Sequence, residues 1–204
     1  MLPSGHIAAG VLVGALRGRR SERRLGVVMT GAVVSTCLPD VDVMVPGLLH
    51  HLGVSHCLRS GEHHSWISHT PLFWGLLVTG ARRLALRSTS PPWAPEAASL
   101  LAIGAGVHLA QDTVANTVAL LWPLRRREYG LGLDHLGGVT DHLEYMRRYP
   151  SSPAGKLEGA LILAAAFISW RHLDHARRGR RLGGAAQVET WTKRCGVGGD
   201  QLIG

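Results

Sequence analysis

The chain has 204 residues, enough for one domain with a full-sized core, and a net charge of +8 that comes almost wholly from arginine. Its three cysteines are odd in number and form no C-x-x-C pair, which argues against a disulfide framework and leaves too few ligands for a thiolate zinc cluster. The arginine clusters neither alternate with aromatic residues nor form one basic stripe, which argues against a nucleic-acid binder.

The apolar residues are mostly Ala, Leu, Val and Gly, which favours helices, and no alternating strand pattern or internal repeat is present. We therefore predict an all-α, multi-helix bundle. The first helix is expected to begin near Ser4 as its N-cap, and Pro39 closes the second. Residues 1–178 are predicted to form one domain, and the basic, glycine-containing segment 179–204 a flexible tail. The expected helices lie at residues 7–16, 25–38, 65–86, 96–121, 141–149 and 157–170.

The arginines lie at the ends of apolar segments, which is typical of membrane proteins. Among these segments only residues 96–121 reach the roughly 20 residues that a spanning helix needs. We favour membrane-embedded helices over a compact soluble bundle. The positive-inside rule then predicts that the arginine ends of the helices lie in the cytoplasm and the opposite pole outside, although residues 125–127 contradict this orientation.

Three histidines, His63, His64 and His69, lie within seven positions directly before an apolar run. Neutral imidazole is a common nitrogen ligand of zinc. If a helix starts near Ser65, His69 lies one turn inside it, and His63 or His64 lies at its mouth. The alternative is a histidine-rich loop that binds no ion.

Carboxylates occur at two further places where a metal could use them. Asp40 and Asp42 directly follow the second helix, although Asp is also common in solvated turns. His108 and Asp112 are four residues apart, so they share one face of a helix. An uncompensated carboxylate in such an apolar run costs several kcal/mol, so a cation, a proton or an arginine must accompany Asp112.

In an alternating bundle, the start of the first helix, the end of the second and the start of the third lie at one pole. His6 begins the first helix, so it joins the other candidates there. This set exceeds the three protein ligands of one catalytic zinc, and a two-ion site bridged by Asp40 or Asp112 would use it fully. His63 is a candidate for proton transfer, so the predicted catalytic residues are Asp40, His63 and Asp112. The predicted metal ligands are His6, Asp40, Asp42, His64, His69, His108 and Asp112.

Five motifs in this order and spacing resemble a known family, the YdjM-like, LexA-binding inner-membrane-associated hydrolases, which are membrane-bound and metal-dependent. Ser65, Ser68 and Thr70 depart from that family's H-R-x-x-T-H-S pattern, but the metal ligands are intact. The motifs are Ser4-Gly5-His6 with Gly10, Leu38-Pro39-Asp40-Val41-Asp42, the segment 64–70, the segment 108–112 and Val118-Ala119-Leu120-Leu121-Trp122-Pro123.

The resemblance implies a helical hydrolase of the bacterial inner membrane. A more distant similarity to zinc-dependent phospholipases C and related nucleases suggests phosphoester hydrolysis. We therefore expect one or two divalent ions, zinc by preference, and hydrolysis of a lipid or small-molecule ester or phosphoester by a metal-bound hydroxide. The alternative is a non-catalytic, metal-stabilised membrane protein that acts through a protein partner.

A second group of polar residues follows the longest apolar run. Another ion could bind there, although we favour ordinary polar contacts for these side chains. The group consists of Asp134, His135, Asp141, His142 and Glu144.

Overall fold

The computed structural model describes residues 1–18, 22–43, 66–87, 89–125, 127–136 and 142–194. Within these residues the all-α prediction is confirmed, because the strand pairing there is limited to an isolated bridge between Val118 and Tyr129. Short 3₁₀ segments, Leu38–Val43 and Ile67–His69, lie between longer helices. The six α-helices of the described part are α1 Pro3–Gly18, α2 Glu22–Cys37, α3 Pro71–Ala85, α4 Ala94–Ala115, α5 His142–Arg148 and α6 Pro153–Arg194.

The third helix begins later than the predicted residue 65. Pro71 occupies its first turn and disfavours helical backbone at the preceding residue, so Thr70 is extended and caps the helix by accepting from the Phe73 amide. The residues before Thr70 form a separate 3₁₀ turn. A hydrogen bond of 2.6 Å, which Trp74 Nε1 donates to the Ser68 carbonyl oxygen, fixes this turn. The prediction that His69 lies inside the helix is therefore wrong, and His69 precedes it.

Other helix ends also differ from the predictions. α4 ends at Ala115 instead of residue 121, because Asn116 is extended and the chain then pairs Val118 with Tyr129. Ser4 lies within the first turn of α1 rather than before it. α6 continues to Arg194, so residues 179–194 are helical. The domain boundary at 178 and the flexibility of the tail remain predictions.

The chain divides into two compact units, Met1–Ala166 and Phe167–Gly204. The first contains α1 to α5 and the beginning of α6. In the second, α6 carries an exposed ion pair between Asp174 and Arg178 at 2.8 Å. The buried histidines and aspartates near the start of α1 and the end of α2 belong to the first unit.

Glycines bring the backbones of the first unit very close together. A Cβ atom at Gly10 of α1 would lie 2.5 Å from the Cα atom of Val33 in α2, and one at Gly104 of α4 would lie 2.4 Å from the Cβ atom of Ser35. Apolar clusters fill the remaining space, one of which joins Val28 to Leu100. This close packing fixes α1, α2 and α4 against one another, and it positions their polar residues.

One stretch of the described residues is long and apolar enough to cross a membrane, Leu25–Asp42, which comprises most of α2 and the 3₁₀ segment after it. Only 28 % of it is buried within the protein. The sequence had instead pointed to residues 96–121, but α4 turns its polar side chains inward and ends early. α1 and α3 both carry arginine in their last turns, at the ends away from His6 and His69.

Candidate metal centre

Five polar side chains from four different elements converge at one pole of the first unit. His6 lies near the start of α1, Asp40 in the 3₁₀ segment after α2, and His69 in the 3₁₀ segment before α3. His108 and Asp112 lie one turn apart on α4. Four of the five side chains are fully buried, whereas the Asp40 side chain is 22 % exposed. Asp40 therefore marks the open side of the cluster.

Four ligand atoms lie at mutual distances that suit one small cation. His69 Nε2 is 3.3 Å from His108 Nε2, and each nitrogen is 3.4 Å from Asp40 Oδ1. Asp112 Oδ2 is 3.5 Å from His69 Nε2 and 2.8 Å from His108 Nε2. A tetrahedral zinc ion with bonds of about 2.0–2.1 Å separates its ligand atoms by roughly 3.3–3.4 Å. All but the shortest of these distances match a site of that size.

The other oxygen of each carboxylate faces His6. Its Nε2 atom lies 3.3 Å from Asp112 Oδ1 and 3.6 Å from Asp40 Oδ2. Within the described part of the chain this buried nitrogen makes no hydrogen bond, and such an atom is the kind that a metal ion satisfies. Asp40 and Asp112 thus each direct one oxygen to His6 and the other to His69 and His108, while the rings of His6 and His108 stack with their centroids 4.0 Å apart.

Each imidazole has its outward nitrogen, Nδ1, against a hydrogen-bond acceptor. His108 Nδ1 lies 2.7 Å from the carbonyl oxygen of Thr36, which can only accept, so Nδ1 is the donor. His6 Nδ1 lies 3.0 Å from Gln111 Oε1, and the Gln111 amide nitrogen donates to Gly5 O at 3.1 Å, which fixes the direction of that amide. In a neutral ring the lone pair is then on Nε2, which faces the cluster, as in metal-binding histidines.

His69 is oriented in the same way by Asp42. Its Nδ1 atom lies 3.3 Å from Asp42 Oδ2, and the Ser68 hydroxyl donates to the same oxygen. Burial by itself lowers the pKa of His69, but the carboxylates of Asp40 and Asp42 outweigh burial and raise it. The surroundings of His69 therefore favour positive charge, which is the condition that a cation site requires.

The structure brings five of the predicted ligands together in this cluster and places Asp42 behind His69, on its Nδ1 side. His63 and His64 lie outside the described residues, so their predicted roles stay predictions. Ligand atoms of His6, Asp40, His108 and Asp112 all lie within 4.8 Å of one another.

Two contacts of the cluster were not anticipated from the sequence. The α-amino nitrogen of Met1 lies 3.0 Å from Asp112 Oδ1, and Thr36 contributes a backbone oxygen that residue type cannot reveal. The role of Gln111 could have been suspected from the sequence, because it is a polar residue next to Asp112 in an apolar run.

The second polar group has a different arrangement. Asp134 Oδ2 accepts from Tyr145 Oη at 3.2 Å, and Glu144 pairs with Arg148 on the surface of α5. Burial and the neighbouring Asp134 raise the pKa of Tyr145 to about 12, so this hydroxyl is a donor at neutral pH. Asp134 and Glu144 thus make ordinary polar contacts. Asp141 lies outside the described residues, and the contacts of the His135 and His142 side chains stay predictions.

The fold and the cluster define an all-α protein with a candidate metal centre at one end of a stretch that is long and apolar enough to cross a membrane. The chain belongs to the YdjM inner membrane protein family, whose family model matches residues 1–178. It is accordingly a protein of the inner membrane, as the sequence predicted. No curated protein and no solved structure matches it.

Proposed function

We propose that this protein is a metal-dependent hydrolase that cleaves an ester or phosphoester bond at the surface of the inner membrane. The observation that carries the proposal is that both carboxylates, Asp40 and Asp112, lie within 3.6 Å of all three imidazoles. One oxygen of each carboxylate faces His69 and His108, and the other faces His6. Carboxylates that bridge two ions are typical of enzymes that hydrolyse phosphoesters.

Asp40, His69, His108 and Asp112 would hold the first ion, and His6 would hold a second ion together with the carboxylates that the two ions share. Divalent ions supply Lewis acidity to the ester oxygen and lower the pKa of water to about 7. The buried imidazoles keep the ligand set rigid and exclude bulk water. Asp40, the partly exposed member, lies at the open side of the cluster, where water and substrate can reach the site.

The position of the cluster along the apolar span supports a lipid substrate. The span Leu25–Asp42 ends with Asp40 and Asp42, and 18 helical residues extend roughly 27 Å, close to the hydrocarbon thickness of about 30 Å. A site at that end lies at the depth of lipid head groups, where ester and phosphoester linkages are found. Leu38, Val41 and Ile67, neighbours of the ligands in sequence, are exposed and apolar.

The test uses full-length protein in detergent, stripped of metal by a chelator and then reloaded with Zn²⁺. We expect the reloaded protein to hydrolyse a chromogenic phosphodiester or ester and, faster, phospholipid in mixed micelles. Asp112→Ala should abolish this activity, whereas His135→Ala in the second polar group should retain it. Metal-loaded protein that hydrolyses none of these substrates would refute the proposal.

A second candidate function rests on burial. Four of the five clustered side chains are fully buried, as in closed structural metal sites, which favours a metal-stabilised protein that acts by binding a partner. The same experiment separates the two functions. A protein that loses thermal stability on chelation but is inactive on every substrate when reloaded would support the structural function.

A further inference from the structure

A second buried carboxylate, Glu158, lies in the first unit outside the ligand cluster. It belongs to the second turn of α6 and is only 3 % exposed. Three donors converge on it. The Leu2 amide donates to Oε2 at 3.2 Å, Tyr149 Oη donates to the same oxygen at 2.6 Å, and the Ser4 hydroxyl donates to Oε1.

Two of these donors belong to the start of α1. The first amides of a helix lack acceptors within the helix, and the positive end of its dipole favours a negative charge. Glu158 supplies both an acceptor and a charge from a distant part of the chain. It therefore caps α1 through tertiary structure, at the place where the sequence had suggested Ser4 as a local cap.

This cap lies directly beside a candidate ligand. Gly5 separates Ser4 from His6, and a Cβ atom at Gly5 would lie 3.2 Å from the carboxyl carbon of Glu158. The carbonyl of Gly5 accepts from Gln111, whose side-chain oxygen lies against His6 Nδ1. The backbone before His6 is thus held between Glu158 on one side and Gln111 on the other.

We propose that Glu158 is a positioning residue of the metal centre: by fixing the first turn of α1 it sets where His6 presents Nε2 to the two carboxylates. Tyr149 has a supporting role, because its hydroxyl fixes Glu158. Burial and Glu158 raise the pKa of Tyr149, so its hydroxyl remains protonated as a donor. The inference rests on the metal site of the proposed function, but it does not require hydrolysis.

The test is a set of double-mutant cycles on metal affinity, measured by titrating full-length, metal-stripped protein in detergent with Zn²⁺ in a calorimeter. Glu158→Gln keeps the size of the side chain but replaces one acceptor oxygen by an NH₂ donor. We expect it to weaken the affinity for Zn²⁺ about tenfold, as loss of an orienting partner does. Tyr149→Phe should weaken it less, in the same direction.

The cycles separate positioning from a general effect on folding. In a His6→Ala background, Glu158→Gln should change the affinity less than twofold, because the residue it acts through is gone. In an Asp42→Ala background, which weakens the support of His69, the full effect should persist. Asp174→Asn makes the same chemical change at a half-buried position of α6 and should leave metal affinity unchanged.

Equal effects of Glu158→Gln in both backgrounds, or wild-type affinity in Glu158→Gln, would overturn the inference. Metal uptake without hydrolysis in the wild-type protein would refute only the hydrolase function. Wild-type protein that takes up no metal would overturn both.

Discussion

The chain gathers histidines and carboxylates in two regions, the buried cluster around Asp112 and the group of Asp134, His135 and Glu144. In the first, the rings of His6, His69 and His108 have one nitrogen on an acceptor and the other facing the carboxylates. In the second, Asp134 accepts from Tyr145.

Glu144 of the second region pairs with an arginine at the surface. The residue types are the same in both regions, but the partners of the carboxylates differ. We therefore expect metal to bind in the first region and not in the second, and five predictions test this comparison.

The largest effect is expected from His69→Ala, which removes one imidazole from the cluster. The affinity for Zn²⁺ should fall by more than the roughly 10–100-fold that loss of an orienting partner costs. The loss of affinity should be seen as a lower metal content in protein purified without chelator. His135→Ala, the matched change in the second region, should leave metal content unchanged, and equal metal in both variants would contradict the comparison.

Gly104→Ala tests the close packing behind the cluster. The added Cβ would lie 2.4 Å from Ser35 Cβ, so α4 must move away from α2 and loosen the bond between His108 and Thr36 O. We expect a loss of about 1–3 kcal/mol in stability, seen in thermal or denaturant unfolding, together with weaker metal binding.

The control for this change is Gly106→Ala on the same helix. A Cβ atom there meets nothing within 4 Å, so the variant should gain up to about 1 kcal/mol from helix propensity. A similar loss of stability in both variants would show that the close contact with Ser35 is not the cause of the loss.

Asp42→Ala distinguishes a ligand from an orienting residue. Because Asp42 contacts Nδ1 of His69, its loss should weaken Zn²⁺ binding about tenfold while the number of bound ions stays the same. Elemental analysis and calorimetric titration measure the two quantities. If Asp42 is instead a ligand, as the sequence suggested, the number of ions should fall, as we expect for Asp40→Ala.

Metal affinity should depend on pH through His69. Its pKa is raised in the metal-free protein, so protons compete with the ion, and affinity should fall by up to about tenfold per pH unit below that pKa. The raised pKa also stabilises the metal-free fold at low pH, and this stabilisation is lost as the pH rises through it. Zn²⁺ titrations between pH 5 and 8 would check the first trend, and unfolding of the metal-free protein over the same range would check the second. An affinity that does not change with pH would contradict the first trend, and a stability that does not change with pH would contradict the second.

The smallest effect is expected in the second region. Glu144→Gln removes an ion pair with Arg148 in which both side chains are largely exposed, so stability should change by less than about 0.5 kcal/mol. Metal content should remain that of the wild-type protein. A clear loss of metal in this variant would assign the second region a role in metal binding.

Much of the site could be predicted from the sequence. His108 and Asp112 stood out because an imidazole and a carboxylate one helical turn apart in an apolar run need a partner. Asp40 and His69 followed from their places at helix ends. These predictions rest on helical periodicity and on the cost of burying charge, and both are local properties of the chain.

The tertiary structure decided which atoms orient the ligands. A backbone oxygen 72 residues away in sequence holds His108, and Gln111 holds His6 across 105 residues. Glu158 accepts from the Leu2 amide at the start of α1 across 156 residues. A carbonyl oxygen carries no residue identity, and a buried carboxylate on a distant helix has no local signature. Contacts of this kind depend on how the helices pack, because glycines such as Gly104 let two backbones meet and bring the partners within hydrogen-bond distance.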